Sequence, residues 1–186
     1  AAFHVIWHQR RMGDFINAQR AHKCARRVGD QSPTLKRIGV MGYGPMGRAI
    51  AKGLSALGYT VTTLSRSQPD PATPGISHMT NNNIDAFLAQ TDILINVLPL
   101  TSETTGLLSA PLFSKLPKGA ALIHLGCGAH LNEADLITAL DSKHLAGASL
   151  DVFDTEPLPK DSPLWDHPGI FITPHVASTP QFRAVV

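Results

Sequence analysis

The sequence contains little charge and few cysteines, and both scarcities narrow the functions it can have. Only 16% of the 186 residues are charged, and a formal net charge of +2 is too small to predict nucleic-acid binding. Hydrophobic residues make up 43% of the chain, so we expect a folded globular protein with one domain of ordinary size. The two cysteines, Cys24 and Cys127, predict neither a disulfide framework nor a metal site, and the default location is a reducing compartment, the cytoplasm.

Long hydrophobic runs are also missing. No apolar stretch reaches the ~20 residues that span a bilayer, so we expect no membrane segment. The opening Ala1-Ala2-Phe3-His4 carries no basic region and no long apolar core, which argues against a signal peptide. Because the chain does not begin with Met, we expect a processed or excerpted piece of a longer protein.

The most informative motif is the glycine-rich turn Gly42-Tyr43-Gly44-Pro45-Met46-Gly47, which directly follows the apolar residues 38–41. A strand that ends in this pattern and opens a helix holds the pyrophosphate of a dinucleotide. In this pattern Gly42 permits the tight turn, Gly44 lets the main chain approach the phosphates, and Gly47 lets helix and strand pack closely. The anion then lies on unpaired N–H groups at the positive end of the helix.

Strands and helices alternate from Leu35 onward. Apolar or β-branched runs predict six strands, at residues 37–41, 60–64, 93–98, 120–125, 148–152 and 170–173. Helices are predicted between them: after the glycine turn up to Gly58, near Asn83, after Ser109, and from Asn132 through Leu140. Residues 68–80 are predicted to be a proline-rich loop. This pattern is typical of an α/β fold of three layers, the doubly wound parallel (Rossmann) sheet, whose ligands bind at the carboxyl ends of the strands.

The first part of the chain is predicted to be one amphipathic helix, from residue 1 to about 22, with Phe3, Ile6 and Trp7 on its apolar face. Residues 29–33 then predict a linker. Half of the basic residues lie between Arg10 and Arg37. We interpret them as a solvated helix face and linker, with an anion-binding arm as the alternative.

The end of the second predicted strand bears on the choice of dinucleotide. Ser65-Arg66-Ser67 stands where a carboxylate would bind the adenosine ribose of NAD and repel the 2′-phosphate of NADP. An arginine flanked by hydroxyls offers charge-assisted hydrogen bonds to that phosphate. The sequence therefore predicts a preference for NADP(H), with NAD(H) as the second candidate; the alternative is an exposed polar turn with a chance arginine.

Three longer segments follow in order: Leu98-Pro99-Leu100-Thr101-Ser102-Glu103-Thr104-Thr105-Gly106-Leu107, then Leu150-Asp151-Val152-Phe153-Asp154-Thr155-Glu156-Pro157-Leu158-Pro159, then Thr173-Pro174-His175-Val176-Ala177. The glycine turn alone also resembles that of the β-hydroxyacid dehydrogenases. Together, however, these segments resemble the cofactor-binding domain of the D-isomer-specific 2-hydroxyacid dehydrogenases over nearly the whole chain. The Ser-Arg-Ser turn and Ser162-Pro163-Leu164-Trp165 are most similar to the glyoxylate/hydroxypyruvate reductase branch.

The resemblance implies an oxidoreductase that transfers hydride between NADP(H) and a small 2-oxo or 2-hydroxy acid such as glyoxylate or hydroxypyruvate. It makes His175 the catalytic acid and base and Glu156 the carboxylate that orients its imidazole, whose pKa lies near working pH. It matches Asp151 to the position that holds the nicotinamide carboxamide. The predicted cofactor-binding residues are Gly42, Tyr43, Gly44, Pro45, Met46, Gly47, Ser65, Arg66, Ser67, Leu98, Pro99, Thr104, Leu125, Gly126 and Asp151.

Two departures from the family pattern favour a different function, a catalytically inactive NAD(P)-binding module. Where the family has Asn-x-x-Arg-Gly, with an arginine for the substrate carboxylate, this chain has His124, and Cys127 at the arginine position. A thiol supplies no two-pronged cation. We interpret Cys127 as a substitution in an inherited loop, with a thiolate nucleophile or redox sensor as the sharper alternative.

The second departure is one of extent. The resemblance divides the chain into a connecting helix and linker (1–34), a dinucleotide-binding domain (35–178) and the start of a return segment (179–186), with the substrate domain absent. The apolar face of the opening helix then favours a homodimer. A catalytically inactive NAD(P)-binding module remains the alternative to an active reductase.

Overall fold

The computed structural model describes residues 1–24, 36–68 and 73–177. It contains a seven-stranded sheet in which every neighbouring pair is parallel. The strands are β1 (Arg37–Met41), β2 (Thr60–Ser65), β3 (Ile76–Thr80), β4 (Ile93–Asn96), β5 (Ala120–His124), β6 (Leu145–Leu150) and β7 (Ile170–Ile172). The predicted linker at residues 29–33 and the predicted return segment at 179–186 lie outside the described residues.

The strand order is β3-β2-β1-β4-β5-β6-β7, so the chain runs outward from β1 in one direction and then returns to build the other half from β4. This order reverses between β1 and β4, which is the topological switch point where doubly wound sheets bind their ligands. The prediction of a doubly wound parallel sheet is confirmed.

Helices cover both faces of the sheet. They are α1 (Ala2–Gln9), α2 (Met12–Arg20), α3 (Pro45–Ala56), α4 (Ile84–Ala89), α5 (Ala110–Phe113) and α6 (Glu133–Asp141). Buried residues of α1 and α3 pack with one face of the sheet, and buried residues of α4, α5 and α6 pack with the other. Two apolar cores with one sheet between them give the three predicted layers. Within the described residues, no helix combines the length and the apolarity needed to cross a bilayer.

The six-strand prediction was wrong at one edge of the sheet. The proline-rich stretch 68–80 was predicted to be a loop, but its last five residues form β3, which pairs with β2. Only Ile76 of this strand is buried. An edge strand with polar residues produces no apolar run, so the pattern that identified the central strands missed it.

The single opening helix was also predicted wrongly. The chain forms two short helices because Arg11 adopts a left-handed backbone conformation, with φ 52°, between them. The Arg11 guanidinium contacts the Asp14 carboxylate at 2.9 Å across this turn. The first helix, α1, packs on the sheet, where Val5 is fully buried.

Candidate functional site

The glycine turn after β1 has the geometry of a phosphate cradle. Gly42 adopts φ +104°, and a β-carbon on Gly47 would lie 2.0 Å from the Gly42 carbonyl oxygen, so neither position accepts a side chain. A β-carbon on Gly44 would meet nothing within 4 Å, because this residue faces open space at the start of α3. The first N–H groups of a helix have no intrahelical partner and bind anions there. The residues present therefore fit a dinucleotide pyrophosphate.

Tyr43 braces this turn against the β2–β3 side of the sheet. Its hydroxyl lies 2.6 Å from Thr73 Oγ1, and its ring meets the His78 ring edge-on at 4.6 Å. His78 Nδ1 in turn contacts Thr63 Oγ1 at 2.6 Å, and burial lowers the pKa of His78. The sequence predicted Tyr43 as a cofactor contact, but gave no signal for its partners, which lie on other strands and loops.

Ser65, the last residue of β2, closes the turn that carries Arg66. Ser65 Oγ donates to the Ser67 carbonyl oxygen at 2.7 Å, and the Arg66 and Ser67 side chains are exposed. Because β2 neighbours β1 in the sheet, this turn lies beside the glycine cradle, on its β3 side. The geometry thus presents Arg66 where the adenosine end of a dinucleotide would extend from the cradle.

The loop after β7 brings His175 to Glu156. His175 Nδ1 and Glu156 Oε2 are 2.8 Å apart, and Glu156 Oε1 accepts a hydrogen bond from the Phe153 N–H at 3.0 Å. Their hydrogen bond raises the pKa of His175 and lowers the pKa of Glu156. Both side chains are open to solvent, which weakens the effect of the pair on stability but leaves the imidazole accessible to a substrate.

Asp151, directly after β6, anchors the His175 loop. Its side chain is buried, and Oδ1 accepts hydrogen bonds from Thr173 Oγ1 at 2.5 Å and from the Val176 N–H at 3.0 Å. Oδ2 accepts from the Ala177 N–H at 2.9 Å. The carboxylate therefore holds the Thr173 side chain before His175 and the main chain after it. Its contact with a nicotinamide carboxamide stays a prediction.

The turns after β4 and β5 form the middle of the same edge. Thr104 Oγ1 donates to the Pro99 carbonyl oxygen at 2.8 Å, which closes the turn that begins at Leu98. The Leu125 N–H donates to the Asn96 carbonyl oxygen at 3.1 Å, and Gly126 follows it. The predicted cofactor residues of these two turns are thus neighbours at the switch-point side of the sheet, between the glycine cradle and His175.

Cys127 lies half-buried at the end of the β5 turn. Its thiol accepts a hydrogen bond from the His130 N–H, and its own N–H donates to His130 Nδ1 at 3.3 Å. The thiol supplies no positive charge for a carboxylate. Within the part of the chain that the structure describes, no three His, Cys, Asp or Glu side chains are grouped to hold a metal ion.

Sequence reasoning missed a buried polar cluster beneath these turns, formed by Asn96, His124 and His130. Asn96 Nδ2 lies 3.2 Å from His124 Nδ1 and 3.0 Å from His130 Nδ1. The available signals were Asn96 and His124, which are polar residues inside otherwise apolar strand runs. Sheet register pairs these two residues, 28 positions apart, whereas His130, 34 positions after Asn96, reaches the cluster from the turn after β5.

Comparison with known proteins agrees with this geometry. Residues 2–177 match the family model described as D-isomer specific 2-hydroxyacid dehydrogenase, NAD binding domain. Glyoxylate/hydroxypyruvate reductase A of Salmonella paratyphi B is 46% identical over 142 residues, which cover 76% of this chain and 45% of that protein. The chain therefore spans less than half the length of this curated relative.

Solved structures give the same result. A D-isomer specific 2-hydroxyacid dehydrogenase family protein from Klebsiella pneumoniae 342 superposes with a TM-score of 0.90 at 44% identity, covering 94% of this chain and 56% of that one. An NADPH-dependent glyoxylate/hydroxypyruvate reductase from Sinorhizobium meliloti, solved with NADP and sulfate, gives 0.90 at 36% identity, covering 96% and 57%. Both the fold and the family resemblance predicted from the sequence are confirmed. This chain belongs to the D-isomer specific 2-hydroxyacid dehydrogenase family and corresponds to its NAD binding domain.

Proposed function

We propose that this chain binds NADP(H) and supplies the acid–base pair of an oxidoreductase acting on a small 2-oxo acid such as glyoxylate or hydroxypyruvate. The 2.8 Å contact between His175 Nδ1 and Glu156 Oε2 carries the proposal. An accessible imidazole with a carboxylate partner, on the same sheet edge as a dinucleotide cradle, is suited to proton transfer at a carbonyl oxygen. The names of the related proteins support the substrate class.

A dinucleotide held by the glycine cradle would supply the hydride in this reaction. The Nδ1–H of His175 donates a hydrogen bond to Glu156, which leaves Nε2 to face the substrate. In the direction of reduction, protonated His175 gives its Nε2 proton to the substrate oxygen, and Glu156 stabilises the charged ring beforehand. In the reverse direction, the neutral ring takes that proton back. Asp151 keeps the loop in place during both steps through its bonds to the main chain.

The preference for NADP(H) rests on Arg66 and its flanking hydroxyls. The Sinorhizobium meliloti reductase was solved with NADP, and a Xanthobacter autotrophicus Py2 relative, 39% identical with a TM-score of 0.91 over 97% of this chain and 74% of that one, was solved with NADPH. Removing one charge-assisted interaction costs roughly 1.5–3 kcal/mol. We therefore expect Arg66→Ala to weaken NADPH binding by roughly 10- to 100-fold, with NADH binding unchanged.

Fluorescence titration with both dinucleotides measures this preference. Arg48→Ala is the matched control, because Arg48 is an exposed arginine of α3 that was not predicted to contact the cofactor. Equal affinity of the unchanged protein for NADPH and NADH, or an unchanged preference in Arg66→Ala, would contradict the proposal.

The competing function is a catalytically inactive NAD(P)-binding module. Cys127 favours it, because the loop that resembles the substrate-binding turn of the family holds a neutral thiol there. Loss of a preorganised charged donor lowers the rate by roughly 10²- to 10³-fold. The chain also covers only 45% of the length of its reductase relative.

One assay separates the two functions: NADPH oxidation with glyoxylate, for the unchanged protein and for Cys127→Arg, alongside NADPH binding by calorimetry. Turnover by both supports the reductase. Binding without turnover by either supports the inactive module. Turnover by Cys127→Arg alone indicates a reductase site disabled at this position. Absence of NADPH and NADP binding would contradict both functions.

We also propose a homodimer through α1. Phe3 and Ile6 are 57% and 44% exposed, and the rings of Phe3 and Trp7 stack against Phe171 in an apolar surface beside β7. Sedimentation velocity of Phe3→Glu tests this assembly, with Leu57→Glu as the control at an exposed apolar residue just after α3. A monomeric unchanged protein, or a dimer that survives Phe3→Glu, contradicts it.

We propose a cytoplasmic location, because Cys24 and Cys127 are both free thiols. Cell fractionation of the native gene product tests it, and recovery outside the cytoplasm contradicts it.

A further inference from the structure

Three polar side chains are almost completely buried where β4 and β5 end. The relative exposures of Asn96, His124 and His130 are 1%, 0% and 1%. Burying such groups costs free energy, which hydrogen bonds among them offset, and those hydrogen bonds hold the joined segments in place; the buried His124 Nε2 takes no part in them. The segments in contact with this cluster are the turns that carry Leu98, Pro99 and Gly126.

The hydrogen-bond directions in the cluster follow from Asn96. Its Oδ1 accepts from the Leu98 N–H at 3.3 Å, which makes Nδ2 the donor toward both imidazoles. His124 Nδ1 and His130 Nδ1 are therefore acceptors, and both rings are neutral with a proton on Nε2. Burial acts in the same direction, since it lowers the pKa of His130 and lowers that of His124 to about 4.

His130 joins three segments of the chain through separate atoms. Its Nε2 donates to the Pro99 carbonyl oxygen at 3.3 Å, and its Nδ1 accepts from the Cys127 N–H at 3.3 Å. Its main-chain carbonyl accepts from the Leu108 N–H at 2.8 Å. One imidazole thus spans the distance between the turn after β4 and the turn after β5, which are two walls of the predicted cofactor site.

The same turn also supports the loop that carries Glu156. A β-carbon on Gly128 would lie 1.9 Å from the Phe153 carbonyl carbon, so the turn around His130 packs directly against the main chain at Phe153. The Phe153 N–H holds Glu156 Oε1 at 3.0 Å. A shift of His130 would therefore be transmitted to the partner of His175.

We propose that His130 is a positioning residue that fixes the nicotinamide end of the cofactor cleft by tying the Leu98–Pro99 turn to the Gly126–Cys127 turn. This inference rests on the NADP(H) site proposed above. It assigns no role to His130 at the adenosine end, because the glycine cradle and Arg66 lie on the other side of the switch point.

Two substitutions divide the functions of the ring. His130→Asn keeps an acceptor near the Nδ1 position but loses the donor to Pro99, whereas His130→Gln keeps a donor near Nε2 but loses the Nδ1 acceptor. The matched control is His144→Gln, because half-buried His144 likewise donates Nε2 to a main-chain carbonyl oxygen, that of Phe113, at 2.8 Å. Calorimetry measures binding of NADPH and of adenosine 2′,5′-bisphosphate, which lacks the nicotinamide half.

We expect both His130 variants to bind NADPH roughly 3- to 10-fold more weakly, the equivalent of one lost hydrogen bond, and to bind the bisphosphate like the unchanged protein. His144→Gln should alter neither affinity. Equal weakening of both ligands, or no weakening of NADPH, would overturn the inference. Failure of the unchanged protein to bind either ligand would instead reject the proposed cofactor site.

If both variants fail to fold, a measurement on the unchanged protein tests the positioning role of His130. The ring ¹⁵N resonances of His130 should shift when NADPH is added and stay in place when the bisphosphate is added. Resonances that do not shift with NADPH, or that shift equally with both ligands, would overturn the inference.

Discussion

The carboxyl edge of the sheet holds imidazoles in two contrasting settings. His175 is open to solvent and hydrogen-bonds to a carboxylate, which raises its pKa. His124 and His130 are buried around the amide of Asn96, and burial lowers the pKa of both. The comparison shows that the partner and the access to water decide what a histidine can do. An imidazole with a raised pKa stays protonated and is suited to acid catalysis. An imidazole with a lowered pKa is neutral, and its one donor and one acceptor are suited to join turns of the main chain.

The largest effect in this comparison is expected from His175→Asn. Removing a general acid lowers a rate by roughly 10²- to 10⁴-fold, and Asn tolerates the left-handed conformation of this residue, which has φ 53°. NADPH oxidation with glyoxylate measures the loss in whichever form of the protein turns over. His167→Asn is the control, because it removes another imidazole–carboxylate pair, His167–Asp141, that was not predicted to act in catalysis. Equal losses in both variants would contradict the assignment of His175.

The buried rings predict a stability that depends on pH. Burial lowers the pKa of His124, which faces His130 and Asn96, and of His8, which faces His4 and Ser149, to about 4. Above pH 6.5 both rings are neutral in the folded and unfolded chain, and their contribution is fully present. Between pH 6.5 and 4 the unfolded chain takes up protons that the folded chain excludes, so stability falls on the order of 3 kcal/mol for each ring.

Urea unfolding at several pH values measures this fall. His124→Asn should lose about 3 kcal/mol of the pH dependence over that interval. The matched control is the same substitution at an exposed histidine, His22→Asn. An unchanged pH dependence in His124→Asn would show that this ring does not titrate as its burial requires.

A smaller effect is expected when the carboxylate charge of the exposed His175–Glu156 pair is removed. Glu156→Gln should lower the pKa of His175, because the amide oxygen still accepts the hydrogen bond from Nδ1–H but carries no negative charge. Reduction needs the protonated ring, so its rate falls as pH rises through this pKa, and the fall should move to lower pH in the variant. An NMR titration of the His175 ring measures the pKa directly. Asp141→Asn should leave it in place, and a His175 pKa unaffected by Glu156→Gln would contradict the pairing.

The smallest effect concerns the anchor of the His175 loop. Thr173→Val removes one hydrogen bond to Asp151 and leaves the two from the Val176 and Ala177 N–H groups. We expect a loss of about 1 kcal/mol in the free energy of unfolding. Thr138→Val, at an exposed hydroxyl on α6, should change it by less than about 0.5 kcal/mol. Equal effects in the two variants would show that Asp151 does not depend on Thr173.

Local patterns were enough to predict the centre of the sheet. The strand-to-helix transition at Gly42 and the apolar runs of the inner strands are properties of neighbouring residues. The edge strand at Ile76 was missed because it carries no apolar run, and the break at Arg11 was missed because that residue is neither glycine nor proline. The left-handed Arg11 contacts Asp14 across the break, and helical periodicity does not report such a turn.

The candidate site was predictable only where a motif had been recognised. The approach of His175 to Glu156 followed from family resemblance, and the structure brings the two side chains together. The Asn96 cluster could not be predicted in the same way, because Asn96 and His124 meet through sheet register and His130 joins them from the turn after β5. Register depends on the packing of the whole sheet, and no short window of sequence contains it.

The position of β7 affects how this protein loses its native structure on heating. This strand has three residues, closes one edge of the sheet and is only half-buried, yet the segment leading to His175 starts from its end. Short outer segments detach at far lower free energy than the central strands do. Warming should therefore release His175 while most of the fold is still intact, so that any reaction that depends on this side chain would be lost at temperatures where circular dichroism still reports a native molecule.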